Sequence, residues 1–325
     1  MADIKLTRIL LVGVLAGSSA IGAGLGSPVV ASPSGMATSG DQLPVVSAKP
    51  LACSSKYTTA NLRRCLKGEI RILNTLYRPI AKQYGKKYVP AKLVIFKTKP
   101  PKNPCENFED GGVGGSFYCA KTLTMYMSTY ELKDATIRYV QRAKQVPGVL
   151  EADAKRAKVP VAQIKKGFIN QAAATVLAHE YAHHMLDQLG IDKWFKTRSA
   201  KHELGSSLSD RYHYATETAA DCLSGYAVSR SKHKKLARVN GFDLWAGRAF
   251  YAATHGFFDE MPVRSPFVYK EIYRPEIYRG YGEAYWRLKA FNYGYQAGAK
   301  SGVGIKKCVI VSAKWKKVPY PKALV

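Results

Sequence analysis

LAHEYAHH, residues 177–184, is the stretch from which the fold and the chemistry of this chain are read. His179 and His183 stand four positions apart, one helical turn, so both imidazoles leave the same face of a helix and can grip one cation. Zinc suits imidazole nitrogen and polarises a carbonyl without redox chemistry. Glu180 follows the first histidine and can take a proton from a metal-activated water without itself binding the metal. The flanking residues predict the helix. Pro160 opens it, Ile164, Phe168, Ala172, Val176 and Leu177 form an apolar stripe, and Gly190 stands where it should stop.

A catalytic zinc site usually takes three protein ligands and leaves one position open. An extended motif would need glycine at 186 and histidine at 189, but the chain has Leu186 and Leu189. A glutamate from a second helix is the other common solution, and ETAAD, residues 217–221, offers one. Glu217 and Asp221 share a helix face, so Glu217 can bind zinc while Asp221 accepts the second ring N–H of a histidine ligand and fixes its tautomer. Solvated helix acids are the plainer explanation. In so basic a chain, acids set among Ala219, Ala220, Ser224 and Gly225 favour a site, since small residues let helices approach closely. His184 is the rival ligand, but on a helix it points about 100° away from His183. His202, His213 and His255 rank lower. Tyr212, His213, Tyr214 and His255 are the candidate stabilisers of a developing oxyanion.

Outward from the motif, Leu62, Leu66, Ile70, Leu73, Leu76 and Ile80 recur at helical spacing within 58–84. AKLVIFK (91–97) reads as a strand ended by Pro100 and Pro101. TLTMYMS (122–128) reads as a second strand, with Leu123, Met125 and Met127 on one face. GGVGGSFYC (111–119) lacks the residues of a phosphate loop and reads as a turn. Residues 130–158 are charged and expected to be helical, and a further helix is expected over about 212–229. The Tyr-, Gly- and Pro-rich C-terminal part gives no clear element.

The N-terminus has the layout of a secretory signal. Lys5 and Arg8 precede the apolar run Ile9–Gly17, and Val29 and Ala31 fit a small-residue cleavage site. The expected organisation is a signal (1–31), a flexible leader (32–52) and one folded domain (53–325). The alternative is a membrane anchor through residues 9–25, but that stretch is short and diluted by small residues. Six cysteines after an export signal read as disulfides, with no CxxC spacing to suggest metal binding. Nearness along the chain favours Cys53–Cys65 and Cys105–Cys119, leaving Cys222 with Cys308. The formal charge of +27 favours anionic cell-envelope polymers or acidic surfaces as partners, and no motif points to specific nucleic-acid binding. The runs Lys232–Lys235 and Lys314–Lys317 read as solvated faces.

Five landmarks occur in order: YVPAKLVIF (88–96), GGSFYC (114–119) followed by TMYM, LAHEYAHH (177–184), ETAADC (217–222) and FNYGYQAG (291–298). In these the chain resembles the bacterial neutral zinc metallopeptidase family, a gluzincin-like group of exported or membrane-attached proteins, over roughly residues 60–308. The resemblance implies an α+β, zincin-like fold, mainly helical, with a small sheet flanking the active-site helix. It implies one catalytic zinc on His179, His183 and Glu217, Glu180 as the base, and cysteines at the family's positions in Cys105, Cys119, Cys222 and Cys308. It also puts Tyr126 and its neighbours on the strand along the cleft, where a substrate backbone can pair. Ala182, Ala120 and Ala219 depart from the family's usual Gly, Pro and Gln, and the stretch from Gly298 to Cys308 is long, but no proposed ligand is lost. The expected activity is hydrolysis of peptide bonds in proteins or cell-wall peptides outside the cell. The alternative is a catalytically silent zinc protein that holds anionic envelope polymers.

Overall fold

The first helix, α1 (Thr59–Gln83), turns its apolar stripe inward: Leu62, Leu66, Ile70, Leu73, Leu76 and Ile80 are all buried. Gly85, at φ 64°, closes it, with Lys86 N–H donating to the Ala81 carbonyl at 2.8 Å. The structure is a computed structural model that describes residues 59–98, 105, 115–134, 137, 141, 151, 154–155, 160–202, 206–231, 282–300 and 304–324. The expected signal and leader, Cys53, most of 130–158, the lysine run at 232–235 and His255 lie outside the described residues.

Three strands follow: β1 (Lys92–Phe96), β2 (Phe117–Cys119) and β3 (Thr124–Ser128). Their order is β1-β3-β2, with β1 parallel and β2 antiparallel to β3. Two expectations change here. Residues 117–119 form a strand where a turn was expected. The alternation in 122–128 also does not separate a wet face from a dry one, because all five residues of the central β3 are buried. Leu123 lies outside the strand, in the turn before it, at φ 50°. A chain segment at 129–134 then continues as a helical turn.

The long α2 (Val161–Gln188) is preceded by Pro160 in extended conformation, as the sequence predicts. Its side chains are described outside 163–172, and from Ala173 to Ala182 every one is buried. A helix sealed all round belongs in a core. Gly190 ends the run at φ 77° and starts α3 (Ile191–Ser199), a backbone turn that a side chain resists. The next helix, α4 (Ser207–Ser231), lies against α2, α3 and α1. Two more, α5 (Gly282–Lys300) and α6 (Ile305–Lys316), pack on α4. Neither was readable from the C-terminal composition.

Helices α4 and α5 approach each other closely. A Cβ on Gly225 would collide with the backbone of Phe291 and Tyr295, and one on Gly294 with the backbone of Cys222. Gly225 therefore serves α5, not α2, to which α4 is joined by the Ser224 hydroxyl donating to the Thr175 carbonyl at 3.0 Å. The disulfide Cys222–Cys308 ties α4 to α6, and Cys105–Cys119 anchors β2. Cys65 is also disulfide-bonded. Lys316 corrects the expectation of a solvated face at 314–317: it is buried, with its ammonium over the rings of Tyr214 and Trp286.

The described molecule is thus mainly helical with one small mixed sheet, α+β in the broad sense. No helix among the described residues is long and apolar enough to cross a membrane.

Gly294→Ala should destabilise the protein by about 3 kcal/mol or more, since backbone must move on both helices. Gly85→Ala, with open space around it, should cost about 1 kcal/mol from its left-handed backbone alone. Denaturant unfolding of the two variants measures the difference, and equal losses would contradict the close α4–α5 approach.

Candidate metal centre

The two histidines of HEYAH and the two acids of ETAAD meet where α2 crosses α4. His183 Nε2 lies 3.1 Å from His179 Nε2. Glu217 Oε2 lies 3.4 Å from His179 Nε2, and Glu217 Oε1 3.4 Å from His183 Nε2. Bonds of zinc to nitrogen or oxygen at their usual length, arranged tetrahedrally, separate neighbouring donors by roughly 3.3 Å. All three separations match that spacing. His179, His183 and Glu217 therefore form a group that can hold one metal ion. Two imidazoles and a carboxylate are the donors of a first-row metal such as zinc.

The second acid does what its spacing suggests. Asp221 Oδ1 lies 2.7 Å from His179 Nδ1. This directs the other ring nitrogen, Nε2, toward Glu217 and His183. Asp221 is fully buried, and the chain meets that cost with Arg287 of α5. The guanidinium donates Nε–H to Asp221 Oδ2 at 2.8 Å and Nη2–H to Oδ1 at 3.2 Å, a two-pronged pair. Nη2 also lies 3.2 Å from Glu217 Oε2 and 3.3 Å from His179 Nε2.

Burial alone would raise Asp221, but Arg287 and then His179 reverse this and hold its carboxyl down at about 2. Burial likewise opposes the charge on His179, and Asp221 above all, with Glu217, carries that imidazole up to about 10. Glu217 is held well below the ordinary carboxylate range: burial pushes it up, and His183, the two imidazole contacts and Arg287 outweigh this. Glu180 differs. Burial raises it to about 7, with His179 and His183 only partly opposing. A carboxyl poised there can both take and give a proton near neutral pH.

These groups line a cavity of about 450 Å³. Its walls include Glu180 and Val176 of α2, Phe195 and Lys196 of α3, Tyr212, His213 and Thr216 of α4, Arg287 of α5, and Ser116, Phe117 and Tyr118 from β2 and the residue before it. This corrects the place given to Tyr126. It lies on β3, buried and paired on both sides, with its ring stacked on Phe117 at 4.7 Å. Among the described strands, the one that borders the cavity is β2, at one edge of the sheet. Tyr118 fastens it to α2: its hydroxyl donates to Asp187 Oδ2 at 3.0 Å and lies 3.1 Å from His184 Nδ1.

His184 is thereby removed as a ligand. Its Nε2 faces the Val89 carbonyl at 2.8 Å, and burial lowers it to about 4, against that hydrogen bond, so it is a neutral bracket between helix and strand. His202 stacks on Tyr212 and takes no part in the donor group. Among the oxyanion candidates, Tyr212 and His213 reach the cavity, while Tyr214 packs under Lys316.

Two pocket residues escape sequence reasoning. Arg287 lies one turn before Phe291 and two before Gly294, on the α5 face that meets α4, but α5 itself was not legible. Glu131 also lines the cavity. It lies in the charged stretch 130–158, where a single acid carries no signal of its own.

Comparison with protein-family models, curated proteins and solved structures finds no match.

Glu217→Gln should abolish tight binding of one zinc per chain, and Asp221→Asn should weaken it by about 10–100-fold. His184→Gln should leave one zinc bound. Competition with a chromophoric chelator measures all three, and loss of zinc in the His184 variant with retention in the Glu217 variant would reverse the ligand assignment.

Proposed function

We propose that the protein is an exported zinc-dependent peptidase. The carrying observation is that His179, His183 and Glu217 converge at tetrahedral donor spacing in a cavity that also exposes Glu180 and an edge strand. Zinc, when bound, supplies Lewis acidity, polarising a carbonyl and making water acidic enough to ionise near neutral pH.

The protein's own groups account for the remaining steps. Glu180 accepts the proton of the attacking water and returns it to the leaving amine, for which its poise near pH 7 is suited. Asp221 holds His179 in one tautomer, and Arg287 holds Asp221 ionised. Tyr212 or His213, at the cavity wall, stabilises charge developing on the carbonyl oxygen. The outer edge of β2, beside the cavity, offers backbone groups to an extended peptide. The family resemblance of HEYAH and ETAAD supports the same chemistry, and a zincin-like arrangement of helix and sheet is part of the proposal. Disulfides at Cys105–Cys119 and Cys222–Cys308 accord with an oxidising compartment, as does the signal-like N-terminus; anchoring through residues 9–25 is the alternative.

A second reading has its own observation. The chain carries 50 Lys and Arg against 23 Asp and Glu, while several of those acids gather in the cavity. The remaining surface is more basic still, which suits adhesion to anionic envelope polymers by a zinc protein without catalysis.

Zinc-loaded protein should cleave members of an unbiased peptide library, and chelation should stop it. Glu180→Gln should lower turnover by about 10²–10⁴-fold while keeping one zinc bound. Undiminished cleavage by that variant would end the peptidase assignment. Salt-sensitive polymer binding with no cleavage of any peptide would favour the second reading.

A further inference from the structure

We propose that Glu131 selects the substrate: its carboxylate binds a cationic amino group on the peptide, either the free amino terminus or a lysine side chain, beside the bond to be cut. This role rests on the peptidase assignment above and gives it a substrate class.

The charges around the cavity leave Glu131 unmatched. Asp192 is paired with Lys196 at 2.6 Å. Asp221 is paired with Arg287 through two hydrogen bonds. Glu217 faces the imidazole pair and belongs to the metal. Glu180 is committed to proton transfer. Glu131 remains. Its Oε2 accepts the Ser116 N–H at 2.7 Å, and among the described residues no Lys, Arg or His nitrogen lies within ion-pair distance of it. In a chain with a formal charge of +27, a half-buried acid with no cation on it is out of keeping with its surroundings.

The carboxylate is also held in place. Glu131 N–H donates to Ser128 Oγ at 3.2 Å, and Ser128 N–H donates to Ser116 Oγ at 3.0 Å. Glu131 thus stands where β3 ends and directly beside the residue that enters β2. A peptide aligned along the edge of β2 would pass it. Burial pushes its carboxyl above the ordinary range, while Ser116 and the more distant charges of His179 and Arg287 lower it. An arriving ammonium would favour its ionised form and make a charge-assisted hydrogen bond, among the strongest a small polar contact can make. A purely structural role, anchoring Ser116 N–H, would need an acceptor but not a charge. Glutamine keeps the acceptor and loses the charge, so the two roles separate.

Binding is measured on zinc-loaded Glu180→Gln protein, which cannot turn the ligand over, by fluorescence anisotropy. Three peptides of one sequence free of Lys and Arg are used: one with a free amino terminus, one N-acetylated, and one N-acetylated with a single lysine added. The free or lysine-bearing peptide should bind roughly tenfold or more tightly than the acetylated one, and adding Glu131→Gln should remove the difference without changing zinc content. Preference for the free terminus marks an aminopeptidase, and preference for lysine marks side-chain selection. Peptides that bind alike, or a preference that survives Glu131→Gln, overturn the role of Glu131 and leave the peptidase assignment standing. Failure of every peptide to bind, with zinc retained, removes both.

Discussion

One imidazole held at both of its nitrogens is the constraint that the rest of the structure serves. His179 presents Nδ1 to Asp221 and Nε2 toward Glu217. Both acids come from α4, one turn apart. For a single helix to reach both sides of a ring on another helix, its axis must pass close to that ring at a fixed height and rotation. A shift of one residue along α4 would turn both carboxylates about 100° away. The position of α4 is therefore the variable that the fold has to control.

It is controlled from both flanks. On the α2 side, Ser224 bonds the Thr175 carbonyl. On the other, Gly225 and Gly294 bring α4 and α5 nearly to backbone contact, and the Cys222–Cys308 bridge adds α6. That same closeness delivers Arg287 to Asp221. A fully buried carboxylate without a counter-charge would tend to take up a proton and could no longer orient the imidazole as an anion. The glycines at the crossing and the arginine at the site are thus parts of one arrangement, although seven positions separate Arg287 from Gly294.

The parts of this that were legible in the sequence are those fixed by local spacing. A turn of four between histidines, another between acids, an apolar stripe in α1 and a glycine stop at 190 each follow from one helix's own geometry, and Zn-type donors at those spacings have few other uses. Properties set by a neighbour were not legible. TMYM alternates as a half-exposed strand would, but both faces of β3 are packed: Met125 and Met127 lie in the main core, and Tyr126 lies in a second cluster with Phe96, Phe117 and Cys119. The family resemblance puts Tyr126 along the cleft, but pairing order is a tertiary property, and β2, too short and Gly-flanked to announce itself, takes the edge beside the cavity. Lys316 looked like part of a solvated run, yet the indole of Trp286 and the phenol of Tyr214 give it a buried partner. Arg287 and Glu131 matter only through groups that other elements carry to them.

Charge ties these observations together. The chain is strongly basic, yet this cavity gathers Glu131, Glu180, Asp192 and Glu217 at the wall and Asp221 behind it. Acids concentrated in one low-dielectric pocket repel one another, and such a pocket is stable only if cations are supplied. Arg287 and Lys196 supply two, and a divalent metal on the imidazole pair would supply two more charges. Of the five carboxylates, Glu131 is the one that neither the metal, the base nor either ion pair uses. A basic exterior would then repel free cations from solution, while the pocket retains a place for one that arrives attached to a peptide already held along β2. Selectivity of this kind comes from where the acids are placed, and the overall charge of the chain would not have suggested it.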